Sequence, residues 1–416
     1  MGRIIIINSG ILAVLAFLAG EELKKYHSPL VDFIWFVCLP FFTLVFFAAL
    51  FLVQIRRISS HPVTRNIFRG MRVAALLGIG GLCIAVFWPR GYGAPPRVKS
   101  VGIRYWDLPT GSHLAYTLIP AKGTPKPTPI IYLQGGPGGT VDYGLIQIMT
   151  PTAEEGYNVY LYDQIGSGWS DRLADIRDYT AVRHKRDLEA IVRAIGADKV
   201  ILIGQSWGAI LATLYAADNP DRVAGLILTG PGSIQPGRPE LAGIQPPDSL
   251  RLRQPYYSNQ QGNELANNIR TRAMAMFATK FGWKLASDEE ADDFAGYESR
   301  LVNRSMVCDT TGISEARPRV PNGSGEAGFY VQVMTVRSFK SLPDPRPKLR
   351  NSPIPMLLMK GECDNQPWGY ATEYLQLFPN HRLVIISGAG HGIYFEQPEL
   401  YLSTIGDFLK NAKLHS

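Results

Sequence analysis

The chain has 416 residues, 42 Lys and Arg against 35 Asp and Glu, and a formal net charge of +7. At 46% hydrophobic and 19% charged it is no disordered polymer, and four cysteines exclude a disulfide-stapled scaffold. The basic balance invites a nucleic-acid partner, but its location argues against one. Residues 1–99 hold 11 basic and three acidic residues, a balance of +8, whereas residues 100–416 hold 31 and 32, a balance of −1.

The basic quarter is also the apolar one. Three runs, 4–20, 33–53 and 73–88, carry no charge. A helix crossing the hydrocarbon core needs roughly 20 apolar residues, so these runs predict about three transmembrane helices in a segment 1–90. The first run, preceded by Arg3 and closed by small residues, also fits a signal peptide, and that alternative stays open. Arg56, Arg57, Arg65, Arg69 and Arg72 fill the second loop with no acid beside them. The positive-inside rule puts that loop in the cytoplasm and everything after Trp88 outside. The expectation is a multi-pass membrane protein, the bilayer as its partner, with its main domain extracytoplasmic. Residues 91–99, rich in Gly and Pro, read as a linker. Cys38 and Cys83 fall within apolar runs, which leaves Cys308 and Cys363 as free thiols or a pair.

Beyond residue 100 short apolar runs alternate with helical patterns. The runs are 129–134, 158–163, 199–204, 224–230, 354–361 and 381–387, each dense in Val, Ile and Leu. Such runs suit strands buried on both faces. Between the second and third, Leu188, Ile191, Val192 and Ile195 recur at the spacing of one helix face. The alternation predicts an α/β fold with a mostly parallel, doubly wound sheet.

On this frame stands Gly204-Gln205-Ser206-Trp207-Gly208, after one strand and before an apolar helix. In that context G-x-S-x-G is a nucleophile elbow, whose glycines permit a turn that exposes the serine hydroxyl. A serine nucleophile needs a general base, and the base needs an orienting acid. Asp364 and His391 each follow a predicted strand, in the chain order Ser, Asp, His. Oxyanion donors are expected from the backbone N–H groups of Gly135 and Gly136, in the glycine-rich loop 134–139, and of Trp207. A phosphate cradle is a poorer reading of that loop, because no G-x-x-x-x-G-K-[ST] string occurs and Pro137 lacks an N–H. No H-E-x-x-H string or Cys/His cluster suggests a metal, and no cofactor is implied.

With QGGPGG (134–139), DQIGSGWS (163–170), GQSWGA (204–209), KGECD (360–364) and GAGH (388–391), the chain resembles the proline iminopeptidase group of α/β hydrolases. The resemblance spans about residues 100–416. It implies Ser206 as nucleophile, Asp364 as acid, His391 as base and backbone donors around Gly136 and Trp207. Asp163 and Gly166 then shape the sheet edge and do not touch substrate. Two departures mark a divergent branch: Gln134 stands where the family has His, and Ile165 where it has Arg. The expected domains are a hydrolase core at 100–232 and 352–416, interrupted by a largely helical cap at 233–351. The family clamps its substrate's free amine with acidic cap residues. The cap segment contains Glu289, Glu290, Asp292, Asp293, Glu298 and Glu326, and none of these lies in the family's setting, so no substrate-binding residue is assigned. The expected activity is serine hydrolysis of an amide or ester in a small molecule or short peptide, proline iminopeptidase-like first. An esterase or lipase acting on apolar esters is the alternative, and an idle hydrolase-fold receptor comes third.

Overall fold

The computed structural model describes residues 62–93, 102–235, 238–255, 267–302, 305–308 and 327–412. These form two compact units: residues up to Pro89 with Ile269–Leu285, and Arg90–Asn268 with Ala286 onward.

In the first unit the helix α1, Pro62–Phe87, absorbs most of the arginine-bearing loop, and its charge-free part begins only after Arg72. That part is short of the roughly 20 residues a bilayer requires. Among the described residues no helix is long and apolar enough to cross a membrane. The expectation of a span at 73–88 therefore gains no support, while the runs 4–20 and 33–53 lie outside the described residues. Val73, Leu76, Leu77, Leu82, Ile84, Phe87 and Trp88 are exposed. Arg270 donates to the Val86 carbonyl at 2.5 Å, and Phe87 meets Phe277 edge-on.

The second unit is built on an eight-stranded sheet, ordered β1-β2-β4-β3-β5-β6-β7-β8. The strands are β1 Arg104–Asp107, β2 His113–Ile119, β3 Ile130–Leu133, β4 Val159–Tyr162, β5 Val200–Gln205, β6 Val223–Thr229, β7 Met356–Gly361 and β8 His381–Ile386. β3 to β8 coincide with the six apolar runs and pair in parallel. β1 and β2 are antiparallel additions at one edge. They escape a search for buried runs because their side chains are partly exposed.

Helices cover both faces. Ile201 and Ile203 of β5 join one cluster with Leu145 and Met149 of α2 (Tyr143–Glu154) and Ile405 and Phe408 of a C-terminal helix. The intervening β5 side chains turn to the other face by the two-residue period of a strand. There α3 (Ala181–Ile195) packs on α4 (Trp207–Asp218). α3 starts where Thr180 accepts from the Arg183 N–H and ends on left-handed Gly196. The chain runs from β3 outward to β4, then returns to place β5 on the other side of β3. That reversal opens a crevice beyond the carboxyl ends of β3 and β5, where α/β proteins bind ligands.

Within this unit the segment expected as a cap contains the helices α5 (Asp288–Val302) and α6 (Phe329–Phe339). The acid-rich start of α5 is structural. Asp292 accepts from Arg172 Nη2 at 2.7 Å and from the Phe329 N–H at 3.3 Å. Asp293 accepts from the Tyr92 N–H and Glu290 from the Arg90 N–H.

Candidate active site

Ser206 ends β5 and opens α4 with φ 53° and ψ −114°. A left-handed φ at a non-glycine residue costs about 1–3 kcal/mol and persists only when its surroundings enforce it. Here they do. A Cβ on Gly204 would lie 2.5 Å from the Gly208 carbonyl oxygen, and one on Gly208 would lie 1.9 Å from that of Leu133. The helix start is thus pressed onto β3, and the Ser206 N–H is held by the Thr229 carbonyl at 2.9 Å. A serine in this position ordinarily caps its helix with its hydroxyl. At this φ it makes no such hydrogen bond.

Thr229 leads to Gly230, where a Cβ would come within 2.8 Å of His391 Nδ1 and 3.4 Å of Asp364 Oδ2. The strand end that grips the Ser206 backbone therefore also abuts the acid–base pair. His391 is 3% exposed, and its Nδ1 lies 2.8 Å from Asp364 Oδ1. With Nδ1–H donated to the carboxylate, Nε2 is the nitrogen left to accept a proton. Asp364 also accepts from the Gln366 N–H at 3.0 Å and, through Oδ2, from Lys360 Nζ at 2.9 Å. Burial alone would push the Asp364 carboxyl up. The Lys360 ammonium and His391 outweigh it and hold Asp364 well below the usual carboxylate range.

His391 sits in a tied loop. Its N–H donates to the Met306 carbonyl at 2.7 Å, and Glu396 accepts from the Gly390 and Cys308 N–H groups. Cys308 and Cys363 form a disulfide, which resolves the alternatives left by the sequence. It joins Cys308 of the cap segment to the residue before Asp364.

The glycine-rich loop after β3 is stitched to the loop after β4. Gln164 accepts from the Gly138 N–H and donates to the Gln134 carbonyl; Asp163 accepts from the Val141 and Trp169 N–H groups. Burial pushes Asp163 up to about 6 against these bonds and Arg172. Asp163 thus holds loops together, in keeping with the sheet-edge role expected of it. A Cβ on Gly166 would strike the Tyr179 ring at 2.5 Å, so this position must also be glycine. Of the expected oxyanion donors, Gly135 gives its N–H to Gln134 Oε1 at 3.2 Å. No partner for the N–H groups of Gly136 or Trp207 is found among the described residues; Trp207, at the first helical position, has none within its helix.

This is a hydroxyl withheld from capping, on a turn linked through Thr229–Gly230 to a carboxylate–imidazole pair, with two unspent N–H groups at the switch point of a parallel sheet. A model of the alpha/beta hydrolase fold family matches residues 128–398. The chain belongs to that family. It is a hydrolase enzyme of this fold. This hydrolase is 26% identical over 289 residues to the proline iminopeptidase of Heyndrickxia coagulans, a match covering 68% of this chain and 91% of the relative. It is 26% identical over 330 residues to 1-acylglycerol-3-phosphate O-acyltransferase ABHD5 of Sus scrofa, covering 76% and 83%. Its fold is that of an alpha/beta fold family hydrolase from Bacillus anthracis (TM-score 0.50, 19% identity, 73% of this chain and 98% of that one).

The sequence gives no role to Lys360, Gln164 or Met306. Lys360 left a trace, since a lysine closing a buried apolar strand must find an acid. Gln164 and Met306 act across long separations through backbone groups, which no local pattern records.

Proposed function

We propose that this hydrolase opens an amide or ester through an acyl-enzyme on Ser206, with His391 as base and Asp364 as its orienting acid. The observation that carries it is the enforced turn at Ser206, held by the strand end Thr229–Gly230 that also lies against the hydrogen-bonded His391–Asp364 pair. His391 Nε2 takes the Ser206 hydroxyl proton as Oγ bonds to the substrate carbonyl carbon. The N–H groups of Gly136 and Trp207 stabilise the oxyanion. The tetrahedral intermediate collapses, the leaving amine or alkoxide takes the proton from His391, and water repeats the sequence to release the acid.

The substrate class we propose is a short peptide or small amide with a free N-terminal amine. Its support is the match to proline iminopeptidases together with Glu298. This half-buried residue shares one face of α5 with buried Ala291, Phe294 and Ala295. Burial pushes its carboxyl up, and no hydrogen bond or ion pair engages it among the described residues. A substrate ammonium would supply the missing counter-charge. The engagement of Asp292, Asp293 and Glu290 in structural contacts favours the second reading, an esterase for apolar acyl groups.

We further propose a membrane tether through the N-terminal apolar runs, with the hydrolase unit extracytoplasmic. Its support is the charge-free runs, the arginine loop and the Cys308–Cys363 disulfide, a bond kept in oxidising compartments. The short third run would cross only with local thinning of the bilayer or snorkelling of its arginines.

The test is the full chain in detergent, with Ser206→Ala as control, against aminoacyl amides, N-blocked amides and p-nitrophenyl esters. Turnover that needs a free amine supports the peptidase, whereas turnover of blocked or acyl esters alone sinks it. A reporter after Ser416 that is active only in the cytoplasm would overturn the orientation.

A further inference from the structure

Lys360 is a charge built into the sheet. It belongs to β7, is 3% exposed, and its Nζ has two acceptors, Asp364 Oδ2 at 2.9 Å and the Gln366 carbonyl at 2.7 Å. The other oxygen of Asp364 faces His391 Nδ1 at 2.8 Å and takes the Gln366 N–H at 3.0 Å. Asp364 is therefore shared between the Lys360 ammonium and the His391 imidazole. In a simple Asp–His pair the whole carboxylate charge supports the imidazolium. Here part of it is already neutralised, by a lysine buried in the sheet.

We propose that Lys360 is a positioning residue that tunes the base: by competing for Asp364 it sets the acid limb of the rate profile at lower pH than an unopposed Asp–His pair would. Its two acceptors also fix the Asp364–Gln366 turn, so the carboxylate is both oriented and partly neutralised by one side chain. The inference rests on the Ser206–His391–Asp364 reading above. The other charged groups packed on the His391 loop are Glu362, which accepts from the Gly388 N–H and from Arg253, and Glu396, which accepts from the Gly390 N–H. They stay constant across the variants below. A unit charge at ~6 Å, at an effective dielectric of about 20, moves a titration by roughly two pH units.

The experiment is the pH dependence of kcat/KM for an activated ester, using the full chain in detergent. Lys360→Gln keeps a donor and removes the charge; the acid-limb midpoint should rise by about one to two units. Lys360→Arg keeps the charge and should leave the midpoint within about 0.3 unit. A loss of rate in Lys360→Gln at all pH values with an unmoved midpoint is what a merely structural lysine would give, and it overturns the proposal. Should Lys360→Gln fail to fold, Asp364→Asn is compared with Asp364→Asn/Lys360→Met, which removes both buried charges together. A midpoint higher by about one unit in the double variant supports the proposal, and equal midpoints refute it. Ser206→Ala separates the two levels: turnover that survives it sinks the triad and this inference with it. Turnover that vanishes there, with an unmoved midpoint in Lys360→Gln, sinks only the role of Lys360.

Discussion

Gly208→Ala tests whether the nucleophile turn is set by contact between backbones. Intrinsic helix propensity favours alanine in α4 by about 1 kcal/mol, so on local grounds the change should stabilise. The tertiary contact opposes it. The new Cβ would lie 1.9 Å from the Leu133 carbonyl oxygen and 2.5 Å from its carbonyl carbon. Non-bonded heavy atoms settle at about 3.5 Å, so α4 must retreat from β3 by about 1.5 Å. Neither neighbour is the end of a flexible side chain. The retreat carries the Trp207 N–H and Ser206 with it, and a misplacement of this size costs about 10²-fold in rate. Losing one oxyanion donor costs a similar 10²–10³-fold. The expected outcome is kcat lower by about 10²–10³ on an activated ester, KM changed much less, and slower labelling by a serine-directed phosphonate. A kcat within threefold of the parent at an unchanged Tm would refute the reasoning.

Four further outcomes are expected. Ser206→Ala should lower kcat by at least about 10⁴ at unchanged Tm, read on the same ester. Glu298→Gln should raise KM for free-amine amides by about tenfold or more and leave N-blocked esters untouched; equal effects on both would remove Glu298 from amine recognition. His184 is buried, with one ring nitrogen 3.0 Å from Thr335 Oγ1, and burial pushes it down to about 3. Because this value is below that of the unfolded chain, its contribution is full above about pH 6.5 and is lost as pH falls toward 3. It amounts to about 4–5 kcal/mol, so denaturation of His184→Gln should depend less on pH across that window. Cys308→Ser should lower the unfolding free energy by about 4 kcal/mol, the loop-closure value for a separation of 55 residues; an equal midpoint with and without the bond would contradict it.

The central sheet was legible because each of its parallel strands must be apolar on both faces, and runs such as 199–204 have no other use. The elbow was legible because G-x-S-x-G is a local device whose glycines answer to backbone approaches within a few residues or to one neighbouring strand. Asp364 and His391 were found by topology, since each follows a strand. The β1–β2 pair leaves no such trace because strands whose side chains are partly exposed need no continuous apolar run. The weak position of Gly135 as an oxyanion donor was missed for a different reason. Its N–H turns to a side chain, Gln134, that replaces the histidine of the resembling motif, and the consequence of that replacement is conformational. At the N-terminus a charge-free run was visible, but how far its helix extends into the arginine loop was not.

The disulfide has a topological consequence. Ser206 lies before the cap, and Asp364 and His391 lie after it, so the catalytic groups belong to two chain halves joined only by the insertion. Cys308 lies late in the insertion, and its bond to Cys363 ties the insertion to the second half immediately beside the acid. A cut anywhere between the two cysteines leaves one covalent molecule with its nucleophile and base still tethered until reduction, whereas a cut in the cap before Cys308 separates them at once.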